Sequence, residues 1–248
     1  MPTVYDPEVT VFETTAAAEE YVANGIIDQV QAKPESVLTL PTGGTPIGVY
    51  GLLVAAYQAG RVDFSRVTTL NLDEYYPIDT DHPTSYKHYM DTYFFSQVNV
   101  PPHNRNIPDG MAPDRDAEAE RYEKVIQSHA IDLGLIALGP GRTCHIAFNE
   151  RGSALDSRTR YVVPDQETME ANARYFDSPE QMPTGAITQG VANILAAQRI
   201  LFIVTGEHKA WGVRRSLQGE ISTDAPASFL RYHPAVSVVL DQGAASLL

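Results

Sequence analysis

Five short apolar runs constrain the fold of this chain more than any other feature. They are Ser36–Leu40 (SVLTL), Val67–Leu72 (VTTLNL), Leu133–Leu138 (LGLIAL), Ile200–Thr205 (ILFIVT) and Val236–Leu240 (VSVVL). Continuous apolar runs of this length, bounded by turn residues, read as strands buried on both faces. Between them lie segments of helical spacing: Thr15–Lys33, with Val22, Ile26 and Val30 on one face and a stop before Pro34, then Thr45–Gly60, His82–Val98, Asp114–His129, Thr188–Ala197 and Glu207–Leu217. Strands alternating with helices predict a mainly parallel sheet covered on both faces. Thr45–Gly60 carries its own punctuation, with Thr45 as N-cap, Pro46 at the first position and Gly60 beyond the end. Glu167–Phe176 is a short helix outside this rhythm, and the segment around 160–185 reads as a small lid. The expected fold is therefore α/β, a Rossmann-like and mainly parallel sheet with helices on both faces. Residues 1–248 form a single domain, and the ends, Met1–Pro7 and Gly243–Leu248, read as frayed.

Charge and composition narrow the partners. A net charge of −13 and a pI near 4.9 argue against nucleic acid or an anionic membrane surface. An anionic ligand would need a local basic pocket. The one cysteine, Cys144, excludes an intrachain disulfide framework. The N-terminus MPTVYDPEVTVFE lacks the basic start and apolar run of a signal peptide, and no run approaches the roughly 20 residues of a membrane span. The expectation is a cytoplasmic protein; a homo-oligomer stays open.

Chemistry-bearing residues fall where strands end, which is where open parallel sheets place ligands. Gly139–Glu150 (GPGRTCHIAFNE) follows the third run and puts His145 and Glu150 at such an edge, suited to acid–base work. Alone, the pair also describes a polar loop. Leu40–Pro46 (LPTGGTP) sits at a strand-to-helix junction. Its Thr42, Gly43, Gly44 and Thr45 offer close backbone approach and a helix N-terminus, the ingredients of a phosphate site, although a tight turn with an ordinary cap reads the same way. It is neither a Walker loop nor a dinucleotide fingerprint. Asn71–Tyr75 (NLDEY) brings Asp73 and Glu74 to the same edge, as a base beside a carbonyl substrate or as a solvated acidic loop. Lys209 in GEHK can carry a point charge to a phosphate there.

Together these segments resemble the glucosamine-6-phosphate deaminase (isomerase) family, whose turn reads G-x-G-x-D-G-H-I-A-F-N-E-P-G. This chain keeps Gly139, Gly141, His145, Ile146, Ala147, Phe148, Asn149, Glu150 and Gly152. LPTGGTP, NLDEY, GEHK, ANARYF at Ala171–Phe176 and PASFLRYHPAVSVVL at Pro226–Leu240 resemble further family segments in the family's order, covering roughly Val37 to Asp241. The resemblance implies a deaminase-like hydrolase/isomerase that converts glucosamine 6-phosphate to fructose 6-phosphate and ammonia, with no cofactor or metal and a sugar phosphate as its partner. It implies that Asp73 shuttles a proton between C1 and C2, that His145 with Glu150 opens the ring, and that Thr42, Gly43, Gly44, Thr45, Arg174 and Lys209 hold the phosphate. Glu74 reads as structural.

Three positions depart: Thr143 stands where the family has a catalytic aspartate, Cys144 where it has glycine, and Arg151 where it has proline. With Thr143 uncharged, His145 is expected to rely on Glu150 alone, and losing one acid–base group commonly costs about 10²–10⁴-fold in rate. Cys144 is expected to be packed and to reshape the turn. Arg160 matches an allosteric arginine of some relatives, but Val162 and Val163 replace the Lys and Thr beside it, so effector regulation is not expected. Two alternatives stand beside the deaminase: an isomerase or lactonase acting on another sugar phosphate, and a catalytically impaired sugar-phosphate sensor.

Overall fold

In the computed structural model, which describes residues 2–139, 142–176, 178 and 181–248, the apolar runs become strands of one sheet. The strands are β1 (Glu8–Phe12), β2 (Val37–Leu40), β3 (Thr68–Asn71), β4 (Asp73–Tyr76), β5 (Arg105–Asn106), β6 (Leu133–Ala137), β7 (Arg160–Val162), β8 (Gly185–Thr188), β9 (Arg199–Val204) and β10 (Val236–Asp241). Seven of them pair in the order β1-β10-β9-β6-β2-β3-β5, and every pairing is parallel. The helices are α1 (Thr15–Ala32), α2 (Ile47–Gln58), α3 (Tyr86–Met90), α4 (Arg115–Gln127), α5 (Gln166–Ala173), α6 (Val191–Ile194) and α7 (Ala210–Gln218).

Alternation along each strand feeds two cores. Leu201 and Ile203 of β9 face a core with Val22, Ile26 and Val30 of α1 and Val49 and Leu53 of α2. Ile200, Phe202 and Val204 face the opposite core, with Tyr122 and Ile126 of α4, Ile194 of α6 and Val213 of α7. Side chains of successive strand residues point to opposite faces, so an all-apolar strand needs helices on both sides.

The remaining strands form a separate antiparallel sheet, β4-β8-β7, over a small aromatic core of Tyr75, Phe148 and Phe176 with Ile78 and Ala186. Helix α5 lies between β7 and β8, within the segment 160–185 expected to form a lid. Asp177, Pro179 and Glu180 of that segment lie outside the described residues.

Several boundaries differ from expectation. Helix α2 starts at Ile47 with Pro46 at the N-cap and no side-chain cap, because the Thr45 hydroxyl is engaged elsewhere. The helix expected over His82–Val98 is divided into α3 and a π-helical stretch, Asp91–Phe95. Ser85 caps α3 by accepting from Lys87 N and His88 N. Thr188 ends a strand, paired with Asp73, and only Val191–Ile194 beyond it are helical. Glu207–Lys209 form a 3₁₀ turn before α7. The C-terminal end is packed: Ala244 is buried and its N–H donates to Asp241 Oδ1 (2.7 Å).

Candidate active site

Strands β2 and β6 are neighbours, yet the chain continues from β2 toward β3 and from β6 toward β9. Their loops therefore diverge at the carboxyl edge, the crevice position of an open parallel sheet. A cavity of about 670 Å³ opens there, lined by Thr42–Thr45, Asp73, His145, Arg174 and Lys209 among others. That volume suits a small ligand. The structure thus brings together every residue expected at the site except Glu150, which lies behind His145.

The loop after β2 forms one wall. Gly43 has φ +101°, left-handed backbone that favours glycine, and neither Gly43 nor Gly44 has anything within 4 Å of where a Cβ would stand. Tyr50 Oη donates to Pro41 O (2.6 Å) and Tyr89 Oη to Gly43 O (2.7 Å), fixing the loop from two helices. Lys209 is buried and donates to Thr45 Oγ1 (3.0 Å) and Leu138 O (2.6 Å). Burial lowers its ammonium to about 8. Two neutral acceptors tether the cation without neutralising it, so it remains available to an anion.

Asp73 opens β4 at the next strand edge and is only 6% exposed. Burial pushes its carboxyl up to about 8, and the charge of Glu74 adds to the effect. Glu74 points the other way. Its Oε1 accepts from Tyr75 N (2.9 Å) and Tyr86 N (2.8 Å), and its Oε2 from Ser85 Oγ (2.8 Å) and Lys87 N (2.9 Å). Burial raises this carboxyl and the four donors oppose the rise. All four partners are donors, and together they anchor the start of α3.

His145 occupies the third wall. Its carbonyl accepts from Gly139 N (2.9 Å), and a Cβ at Gly139 would overlap the ring at Nε2, which is why glycine ends this strand. Nδ1 faces three oxygens: Thr143 Oγ1 at 2.5 Å, Glu150 Oε2 at 3.2 Å and Thr168 Oγ1 at 3.3 Å. A carboxylate at this distance selects the tautomer with the proton on Nδ1 and leaves Nε2 as the free acceptor. Burial pushes the Glu150 carboxyl up, but His145, Thr168 and Thr143 more than offset this and hold it below its ordinary value. The expectation that His145 has Glu150 alone is corrected: two hydroxyls share the place of a second carboxylate. Thr168 carried no signal in the sequence beyond membership of the lid helix.

The departures at 143–151 can be placed in the loop. Cys144 has φ +52° and Ala147 φ +51°, so both adopt the left-handed conformation usually left to glycine. Cys144 retains it as a buried residue whose Sγ lies 3.8 Å from Gly212 O and faces the α7 packing. It is packed, as expected. Arg151 Nη2 donates to Arg142 O (2.9 Å) across the loop. Gly141 of the motif lies outside the described residues.

Two arginines complete the surroundings. Arg174, the C-cap of α5, is exposed at the cavity mouth, where Nη2 donates to Tyr175 Oη (2.8 Å) and the guanidinium lies 4.8 Å from that ring's centre. Arg160 donates to Asn149 Oδ1 (3.0 Å) and Ser153 Oγ (3.0 Å), bracing the back of the His145 loop.

Known proteins resemble this chain over most of its length. Residues 10–239 match the family described as glucosamine-6-phosphate isomerases/6-phosphogluconolactonase. A protein of Rhodopirellula baltica named glucosamine-6-phosphate deaminase is 46% identical over 242 residues, 97% of this chain and 96% of its own. One of the same name from Halothermothrix orenii is 46% identical over 224 residues, covering 90% and 92%. The solved structure of a monomeric glucosamine-6-phosphate deaminase superposes with a TM-score of 0.94 at 41% identity, covering 97% of this chain and all of its own. A 6-phosphogluconolactonase from Trypanosoma brucei, with a TM-score of 0.78 at 19% identity over 98% of this chain, shares the fold. The chain belongs to the glucosamine-6-phosphate isomerase/6-phosphogluconolactonase family.

Proposed function

We propose that this protein is a glucosamine-6-phosphate deaminase, converting glucosamine 6-phosphate and water to fructose 6-phosphate and ammonia. The observation that carries the reading is the placement of Asp73 and His145 on facing walls of one cavity that also holds Lys209 and the Thr42–Thr45 loop. The full-length similarity to proteins of that name supports it. In class the reaction is an aldose–ketose isomerisation with loss of ammonia; water enters only at the last step, so isomerase describes it better than hydrolase.

Each step has a residue. The phosphate sits on the N–H groups of Gly43–Thr45, with Lys209 beneath and Arg174 closing over it as a planar fork. Nε2 of His145 takes the proton of O1 as the C1–O5 bond breaks, and returns a proton to O5. Glu150 stabilises the imidazolium that exists in between. Asp73, once ionised, removes the proton from C2 of the open chain while O1 takes a proton from water, giving a 2-amino-enol. It then delivers that proton to C1, leaving an iminium at C2. Water adds there and ammonia departs. The 160–185 segment acts as the lid of a single-domain enzyme, carrying Arg174 to and from the mouth.

Ammonia measured against fructose 6-phosphate tests the reading. Equal amounts formed from glucosamine 6-phosphate are expected, with no hydrolysis of 6-phosphogluconolactone above the buffer rate. Rapid lactone hydrolysis without ammonia would make the protein a lactonase. Phosphate-dependent stabilisation with neither product would make it a sensor.

A further inference from the structure

Helix α5 reaches both chemical ends of the cavity. Thr168, in its first turn, is buried with Oγ1 3.3 Å from Nδ1 of His145, whereas Arg174, its C-cap, lies exposed at the mouth. The start of the helix is also tied to the catalytic loop: Glu167 Oε1 accepts from Arg142 N (2.7 Å), and Glu167 Oε2 lies 3.9 Å from Arg151 Nη2. Arg151 in turn holds Arg142 O. A helix of this length is stiff along its axis, so a displacement of its C-terminal end is passed to its first turn.

The His145 corner is sensitive to such a displacement. Both oxygens of Glu150 are buried, Oε2 is 3.2 Å from Nδ1, and the other donors beside the carboxylate are the hydroxyls of Thr143 and Thr168. A buried carboxylate depends on its few donors, so a small movement of a nearby hydroxyl changes its stability considerably. Thr143 is fixed by its own loop. Thr168 arrives on the lid.

We propose that Thr168 is a positioning residue for His145, and that α5 couples capture of the phosphate by Arg174 to alignment of the Thr168 hydroxyl between Glu150 and the imidazole. Thr143 and Thr168 then share one task from two independent elements, the first permanently and the second on lid closure. Ring opening is thereby favoured only when a phosphorylated ligand occupies the cavity. The charged groups facing this corner are Glu150 behind the ring, Asp73 and Lys209 across the cavity, and Glu167, Arg142 and Arg151 at the start of α5. The inference rests on the deaminase reading for its kinetic consequence, but the coupling itself has a readout that does not.

That readout is the side-chain nitrogen resonances of His145 in the intact protein, with and without inorganic phosphate. In the unaltered protein, phosphate is expected to shift Nδ1 toward a more strongly hydrogen-bonded value. Thr168→Val should remove this response while phosphate still binds, and Thr168→Ser, which keeps the hydroxyl, should restore it. Turnover of glucosamine 6-phosphate by Thr168→Val should fall about 10- to 100-fold in kcat, with KM changed less than about twofold, the pattern of a misplaced catalytic group. A Thr168→Val protein whose His145 resonances still respond to phosphate as before overturns the proposal. So does a Thr168→Ser protein, melting normally, that fails to recover the response. If the unaltered protein makes no ammonia, the deaminase reading fails, while the resonance response still decides the coupling.

Discussion

Asp73 and Lys209 give the site its pH dependence. The Asp73 carboxyl, raised to about 8 by burial and by Glu74, must lose its proton to act as a base, so kcat/KM of the free enzyme is expected to climb as pH rises toward 8. The Lys209 ammonium, lowered to about 8 by burial, loses its charge across the same range, so KM should rise above it. The two together predict a narrow bell centred near pH 8, measured by ammonia release at low substrate. A flat profile between pH 6 and 9 would contradict both assignments. Cys144 supplies a prediction about stability. Its left-handed backbone, φ +52°, is tolerated by an unbranched side chain packed near Gly212, but a β-branched one adds crowding at Cβ. Cys144→Val is expected to cost at least about 1–2 kcal/mol in chemical denaturation. Cys144→Gly relieves the backbone but vacates buried volume, so its cost should be smaller. The reverse order would mean that the turn is not strained.

At the scale of elements, β4 and α3 form one unit organised by Glu74. Its carboxylate gathers three backbone N–H groups and the Ser85 hydroxyl, and α3 carries Tyr89, which pins Gly43 of the phosphate loop. Glu74→Gln would turn an amide N–H₂ toward donors and should cost about 1–3 kcal/mol. It should also raise KM through Tyr89. Removing the Glu74 charge lets the Asp73 carboxyl fall, so the acid limb of the pH profile should move to lower pH; an unmoved limb would show that Glu74 does not act on Asp73. The same elements show what the sequence could and could not convey. Buried strands such as β9 (RILFIV) announce themselves because both faces are apolar. β4, made of Asp-Glu-Tyr-Tyr, and the half-exposed β7 offer no such run, so the second sheet, in which Thr188 pairs with both, leaves no mark in the linear sequence. Most of the site residues are legible as motifs because they follow a strand end in the linear chain; Arg174, at the C-cap of α5, is the exception. Thr168 is not legible, because its neighbour His145 is 23 residues away and no local pattern encodes that contact.

At the scale of the molecule, the parallel sheet brings segments from four separate parts of the chain to one edge, and the segment between β7 and β8 brings Arg174 to the same cavity. A ligand that bridges these parts should stabilise the whole. Inorganic phosphate at about 100 times its Kd is expected to add roughly 2.7 kcal/mol, a rise in Tm of about 5–11 °C for a domain of this size. Lys209→Ala should remove most of that gain; an undiminished gain would place the phosphate elsewhere. The central claim is that a buried carboxylate at the start of β4 moves the proton between C2 and C1 while the rest of the cavity binds and opens the sugar. Comparing Asp73→Asn with the unaltered protein tests it most directly, with glucosamine 6-phosphate deuterated at C2 supplied to both in ordinary water and the phosphate-induced Tm rise recorded in parallel. The account predicts that the unaltered protein releases ammonia and forms fructose 6-phosphate carrying deuterium at C1. The variant should keep the Tm rise and release ammonia at least about 10²-fold more slowly. Ammonia released by Asp73→Asn at the unaltered rate, with deuterium still entering C1, would contradict it.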